Sequence, residues 1–425
     1  MTREVIAAGL DLGDSRIKCV IALRHADGQV DVIGTGVYPA NGFQSGAVQS
    51  PEEAVAAIRK AVEEAELMAG CEIHEVYISA SSRYFETFDS TGMTRIQGEA
   101  VTETDVRAAI DMAEAVRMGP DQRILHVIPQ EYVIDGQRGI RQPLGVPGVR
   151  LEVRAHLVLG NAPVLDAIEV CCRKAGLTVL DTFMSPLAQA EALLTTQSRD
   201  VGVALVDIGS DTTDVAVYER GAIAHTAVLA IGGDHVTADI RDCLNTPTAE
   251  AEHLKRAFGT ALAHVVDPEE IIEVPGVGGR RPRPVKRALL CEIIEARIEE
   301  ILRLVAEELV RAGYREDPNG DGSRRPRELA GGVILTGGTA SLHYIEELAE
   351  HTLQMPAARG TPRDLQGLVD VIADPKYATA TGLVLAGLRD RSREWSAERQ
   401  RRVRPPRRTG FWRLWPWGAG GEKRD

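Results

Sequence analysis

Val5-Ile6-Ala7-Ala8-Gly9-Leu10-Asp11-Leu12-Gly13 and its counterpart Gly202-Val203-Ala204-Leu205-Val206-Asp207-Ile208-Gly209 decide how this chain is built. Each is an apolar run ending in Asp-x-Gly, the pattern of a buried strand entering a tight turn. Each also continues in the same way. IKCVIALR (17–24) and VDVIGTGVY (30–38) follow the first, and TDVAVYERG (213–221) and AIAHTAVLAIGG (222–233) follow the second. Two copies of strand, turn and hairpin, about 195 residues apart, predict two domains of one fold facing each other.

Between the copies lie a helix opening at Pro51 and a strand EVYISA (75–80). Residues 85–160 then change character, with a capped helix from Thr102, strands such as ILHVI and LEVRAHLVLG, and the turn-rich GQRGIRQPLGVPG. This predicts a small α+β insertion. A long helix is expected over 286–312, with Leu290, Ile293, Ile294, Ile301, Leu302, Val305 and Leu309 on one face. GVILTGG (332–338) reads as a strand entering a glycine turn, and DPNGDGSRRP (317–326) as an exposed loop. The expected division is 1–84 with 161–200 as the first domain, to which 375–390 return, and 85–160 as the insertion. Residues 201–374 form the second domain, with 235–312 as its outer part, followed by a flexible basic linker (391–408) and a tail (409–425).

With 425 residues, 44% of them hydrophobic and 26% charged, the chain can build several real cores. Charge is unevenly distributed. From Arg389 onward there are twelve Lys/Arg against five Asp/Glu, so the overall −13 hides an acidic body and a basic tail that holds Trp395, Trp412, Trp415 and Trp417. An acidic body argues against non-specific nucleic-acid binding. The opening residues do not read as a secretion signal, and no apolar run is long enough to span a bilayer, so a secreted or spanning protein is not expected. The six cysteines show no C-x-x-C pair and no cluster of histidines beside them, which predicts reduced thiols rather than disulfides or a metal cluster.

The chemistry lies at the turns. Gly13-Asp14-Ser15 and Gly209-Ser210-Asp211-Thr212-Thr213 can bring backbone N–H groups and hydroxyls up to phosphate oxygens, and Asp11 and Asp207 can hold a hydrated divalent cation. One such hairpin is commonplace. Two at matching points, joined by Thr336-Gly337-Gly338-Thr339 after a third apolar strand, describe a nucleotide clasped between two domains. This arrangement resembles the actin and sugar-kinase superfamily, and the resemblance implies an α/β fold class: two actin-like (ribonuclease-H-like) domains enclosing a nucleotide cleft, with a small α+β insertion in the first.

Within that superfamily the sequence resembles the bacterial cell-division protein FtsA over about residues 4–390. The most specific stretches are Leu125-His126-Val127-Ile128-Pro129-Gln130-Glu131-Tyr132, the set Gly139-Ile140, Pro143, Gly145, Gly148, Arg150-Leu151-Glu152 and His156, and Val274-Pro275-Gly276-Val277-Gly278-Gly279-Arg280. The resemblance implies a peripheral protein on the cytoplasmic face of the membrane at the division site. Such a protein binds ATP with Mg²⁺, polymerises with its own copies, tethers filaments of the tubulin-like FtsZ, and recruits later division proteins through the insertion. It places the phosphates at Gly13 to Ser15 and Gly209 to Thr213, with Gly232-Gly233 beside them. It places the adenosine near Gly337, Gly338, Glu252 and Lys255, the last two alternatively forming a plain i,i+3 ion pair. The FtsZ tail is expected at Arg297, whose fork suits a carboxylate, unless Glu300 or Glu292 claims it.

Relatives usually carry Ser or Thr at the position of Asp14 and Gly at that of Asp211. Two extra carboxylates are thus expected to face a polyphosphate unless they turn away or bind Mg²⁺. Ser185 stands where MreB-like ATPases have a water-orienting glutamate, so no catalytic residue is assigned and turnover is expected to be slow or absent. In the tail, Phe411, Trp412, Leu414, Trp415 and Trp417 stand with Arg407, Arg408 and Arg413 and suit a membrane interface, with docking onto another protein as the rival reading. A third of their full burial energy is about 6 kcal/mol, a reversible anchor. Pro416 keeps any helix there short. Competing readings are a PilM-like pilus adaptor, an MreB-like filament, and a sugar-kinase-like phosphotransferase.

Overall fold

A computed structural model describes residues 4–315 and 327–401, with side chains described up to Arg389. Val5–Leu12 pairs antiparallel with Arg16–Arg24, which pairs with Val30–Pro39, while the other edge of Val5–Leu12 pairs parallel with Glu75–Ala80. Thr178–Met184 extends the sheet in parallel, and the short Gln366–Gly367 closes the far edge. The second sheet repeats this plan. Val203–Ile208 lies between the antiparallel Thr213–Glu219 and Ala222–Leu229 on one side and the parallel Val333–Thr336 and Ala357–Arg359 on the other. In both sheets the opening strand is where the connectivity reverses, and its carboxyl end is therefore the natural mouth of a ligand crevice.

Helices cover these sheets for identifiable reasons. Pro51–Ala69 begins with proline in its first turn and ends at Gly70 in the left-handed conformation. It buries Ala54, Ile58, Ala61, Val62 and Ala65 against the first sheet. The closing helix Ala378–Arg401 returns to the other face, packing Ala380, Val384 and Leu388 with Ala7, Val20 and Ala22. A Cβ on Gly9 would meet the Ala380 carbonyl at 2.4 Å, so glycine sets that close approach.

Between Glu75–Ala80 and Ala162–Lys174 lies a four-stranded antiparallel sheet (Phe85–Arg95, Gln122–Ile134, Gln137–Ile140 and Arg150–Asn161), backed by the helix Glu103–Glu114. That helix has a capping box. Asp105 N–H donates to Thr102 Oγ1 at 3.3 Å, and Thr102 N–H donates to the Asp105 carboxylate at 2.9 Å. Two residues from the specific sequence stretches hold this sheet to the second lobe. His156 is buried and bridges Asp89 (2.8 Å) and Thr226 (3.1 Å), and Gln130 donates to the Ile223 carbonyl at 3.0 Å. The outer part of the second lobe consists of helices Gly233–Leu244, Thr248–Phe258 and Arg287–Arg311, with the hairpin Ile271–Val274/Arg283–Lys286. Val274 to Arg280 begin at the end of its first strand and form most of its turn.

Candidate functional site: the cleft between the two hairpins

The two Asp-x-Gly turns converge on one cavity of about 400 Å³. The first lobe contributes Asp11, Gly13, Asp14 and Ser15, and the second Asp207, Gly209, Ser210 and Thr212. Gly233, Glu252, Lys255, Gly337 and Gly338 also line it. Gly337 has φ +88°, and a Cβ there would lie 2.1 Å from Asp207 Oδ1, so only glycine fits.

Hairpin register pairs the two central aspartates unequally. Asp11 lies opposite Lys18, whose ammonium donates to Asp11 Oδ2 at 2.7 Å, while Ser79 donates to Oδ1 at 2.8 Å. Asp207 lies opposite Asp214, a second acid. Asp207 accepts from Gln189 Nε2, whose amide also donates to Thr379 at 2.8 Å. Burial pushes the Asp207 carboxyl up to about 6, and the Asp11 charge adds to the shift against the opposing pull of Gln189 and Lys18. Asp214 is 5% exposed and accepts from the Ser82 hydroxyl, while its Oδ1 is buried without a partner. Burial and then the Asp207 charge push its carboxyl well above the usual range. Among the described residues no group of three or more His, Cys, Asp or Glu could by itself hold a metal ion. Asp11 and Asp207 fit a cation that takes its remaining ligands from phosphate and water, which is how Mg²⁺ is usually bound.

Three residues expected at the phosphates do not line the cavity. Thr213 is fully buried and donates to the Ile231 carbonyl at 2.8 Å, because its position on the strand turns it inward. Gly232 packs on the backbone, where a Cβ would meet Ser210 O at 2.7 Å. Asp211 turns away and pairs with Arg83 at 2.7 Å. Of the two extra carboxylates, only Asp14 therefore faces the cavity. Burial, followed by the Asp211 charge, pushes its carboxyl up to about 6. Ser81 lies 3.5 Å from Asp14 Oδ2, and Asp14 Oδ1 has no partner.

Glu252 and Lys255, expected beside a nucleoside, form the plain helical pair, at 2.6 Å. Lys255 also donates to the Gly233 carbonyl (2.9 Å) and Thr237 (2.8 Å), so it braces the cavity wall. Ser185 lines the cavity as well. Sequence reasoning missed Lys18, Ser82, Gln189, Asp214, Asp374 and Lys376. Counting back across a tight hairpin would have found Lys18 and Asp214, since register alone sets them opposite the aspartates.

Arg297 lies away from the cleft. It grips Asp239 with both sides of its fork (2.6 and 2.9 Å) and pairs with Glu300 at 2.5 Å. The Glu300 alternative is therefore present, and Asp239 is an unforeseen partner. Phe411, Trp412, Leu414, Trp415 and Trp417 lie outside the described residues, as does the expected loop 317–326. Among the described residues no helix is long and apolar enough to cross a membrane.

Two repeated sheets with their opening turns facing across a crevice define an actin-like protein. Solved structures agree on the fold. The PilM-PilN type IV pilus biogenesis complex superposes with a TM-score of 0.63 at 16% identity, covering 90% of this chain and 98% of that one. MreB5 of Spiroplasma citri bound to AMPPNP gives 0.52 at 14% identity, covering 94% and 99%.

The profile of "Cell division protein FtsA" matches residues 204–382, and that of the SHS2 domain inserted in FtsA matches 83–159. Cell division protein FtsA of Pseudomonas aeruginosa is 41% identical over 384 residues, 90% of this chain and 89% of that protein. The Escherichia coli K12 protein is 37% identical over 386 residues, 91% of each. The chain belongs to the FtsA family of cell-division proteins.

Proposed function

We propose that this protein binds Mg-ATP in the cleft, self-assembles, and tethers FtsZ filaments to the cytoplasmic face of the cell membrane at the division site. The observation that carries the reading is the convergence of both hairpins and the Gly337 turn on a single cavity. The solved MreB5 relative of the same fold was obtained with AMPPNP. In this reading Gly13 to Ser15 and Gly209 to Thr212 cradle the polyphosphate, and Glu252, Gly337 and Gly338 border the nucleoside. Asp11 and Asp207 hold Mg²⁺, which neutralises phosphate charge. Lys18 balances Asp11, and Gln189 orients Asp207. No residue of the site is assigned as catalytic, so the protein acts as a scaffold with at most slow ATP turnover.

The first lobe comprises 1–84, 161–200 and 375–390, the second 201–374, and 85–160 form the insertion that later division proteins engage. The FtsZ tail docks near Arg297, where its carboxylates compete with Asp239. The tail 409–425, with its aromatic residues, contacts anionic lipid, and avidity along a polymer multiplies weak attachments.

The test is co-sedimentation of FtsZ with anionic vesicles. The full chain should carry FtsZ into the pellet, and a chain lacking residues 405–425 should leave it in solution. Equal pelleting by both would remove the tail from the tether.

A further inference from the structure

Three consecutive residues at the root of the inserted subdomain each reach an aspartate on a phosphate hairpin. Ser81 lies against Asp14, Ser82 donates to Asp214, and Arg83 pairs with Asp211 at 2.7 Å. Of these aspartates, Asp211 is the one that the cleft does not expose. Its chain neighbours Ser210 and Thr212 both line the nucleotide cavity, so the direction of its side chain decides whether a carboxylate faces the phosphates. Its charge already reaches Asp14 and Asp234 in the cavity wall and pushes both carboxyls up, behind burial at Asp14 and behind burial and the Glu252 charge at Asp234. Arg83 does not line that cavity. It lines a neighbouring one of about 350 Å³ on the other side of Ser82 and Thr212. The guanidinium therefore draws Asp211 away from the nucleotide side.

We propose that Arg83 is a positioning residue for the polyphosphate, acting through Asp211 by holding its carboxylate out of the cleft and cancelling its charge. The proposal rests on the nucleotide reading above and assigns Arg83 no contact with the nucleotide. Its chemical logic is electrostatic. A free carboxylate beside a triphosphate repels it in a partly buried site, and an ion-paired one does so much less. Since Arg83 opens the insertion, nucleotide affinity also becomes linked to the placement of that subdomain. A movement that breaks the pair lowers affinity, and bound nucleotide resists the movement by the same factor.

The experiment titrates a fluorescent non-hydrolysable ATP analogue with Mg²⁺ into the full chain. Arg83→Ala should weaken binding about tenfold or more, the scale of one unrelieved like-charge contact. Arg83→Ala/Asp211→Asn should restore affinity to within about threefold of the unaltered protein, because the offending charge is gone. Arg83→Lys should keep most of the affinity, since a cation remains, and this variant guards against loss of fold in the alanine form. Unchanged binding by Arg83→Ala, or a double variant as weak as the single one, would overturn the proposal. In the second case Arg83 would have to touch the nucleotide or support the fold. Absence of binding by the unaltered protein would instead sink the nucleotide reading itself, together with this proposal.

Discussion

Lys18 closes a 2.7 Å ion pair onto Asp11 directly across the first hairpin, whereas the same register position of the second hairpin sets Asp214 opposite Asp207. The two lobes repeat each other in backbone but not in charge: the first sets a cation against its aspartate, and the second sets a carboxyl against a carboxyl.

Lys18→Met should therefore leave the Asp11 carboxylate, itself 6% exposed as a residue, without its cation. Removing one member of a buried pair typically costs about 3 kcal/mol. The nucleotide-free protein should lose about 3 kcal/mol of stability, read in denaturant melts, with part of the loss recovered when Mg²⁺ binds at Asp11.

The nucleotide-free protein should be more stable in mild acid than at neutral pH as far as these groups contribute. The carboxyls of Asp14 and Asp207 sit at about 6 in the folded chain against 3.8 when unperturbed. The folded state thus binds more protons than the unfolded one between these values, so their contribution is full below 3.8 and is lost as pH rises through 6. Asp14→Asn should raise stability at pH 7 by about 2 kcal/mol and do little at pH 4. Denaturant melts at both pH values check this, and an equal effect at both would contradict it.

Gly337→Ala should abolish nucleotide binding and destabilise the fold by about 2 to 3 kcal/mol, since the residue combines φ +88° with a Cβ position 2.5 Å from the Ile208 carbonyl. Gly338, where an added Cβ meets nothing within 4 Å, is the control. Gly338→Ala should be close to neutral in thermal melts.

Asp239→Asn should strengthen binding of an acidic FtsZ tail peptide several-fold, because it frees the fork of Arg297 from its internal partner. Arg297→Glu should abolish that binding and also repel Asp239 and Glu300, costing about 1 kcal/mol of stability. Fluorescence anisotropy with a labelled peptide separates the two variants. Unchanged affinity in both would remove Arg297 from the docking site.

Much of the architecture is legible in the sequence. Val5–Gly13 and Gly202–Gly209 are apolar runs stopped by Asp-x-Gly, and local sterics turn such runs into strands with tight hairpins wherever they sit. The duplication, the insertion beginning near residue 85 and the helix at 287–311 followed from the same short-range patterns. Side-chain destinations were a different matter. Asp14 and Asp211 look alike in sequence, each an acid within a glycine turn. Yet Asp211 is captured by Arg83, 128 positions away, and Asp14 is left facing the cavity. Asp207 likewise depends on Gln189 from a separate helix, and Arg297 on Asp239, 58 positions away. A turn is decided by the few residues that make it. The partner of a charged side chain depends on which distant segments packing brings within about 3 Å, so it was the tertiary structure that decided which charges face the cleft.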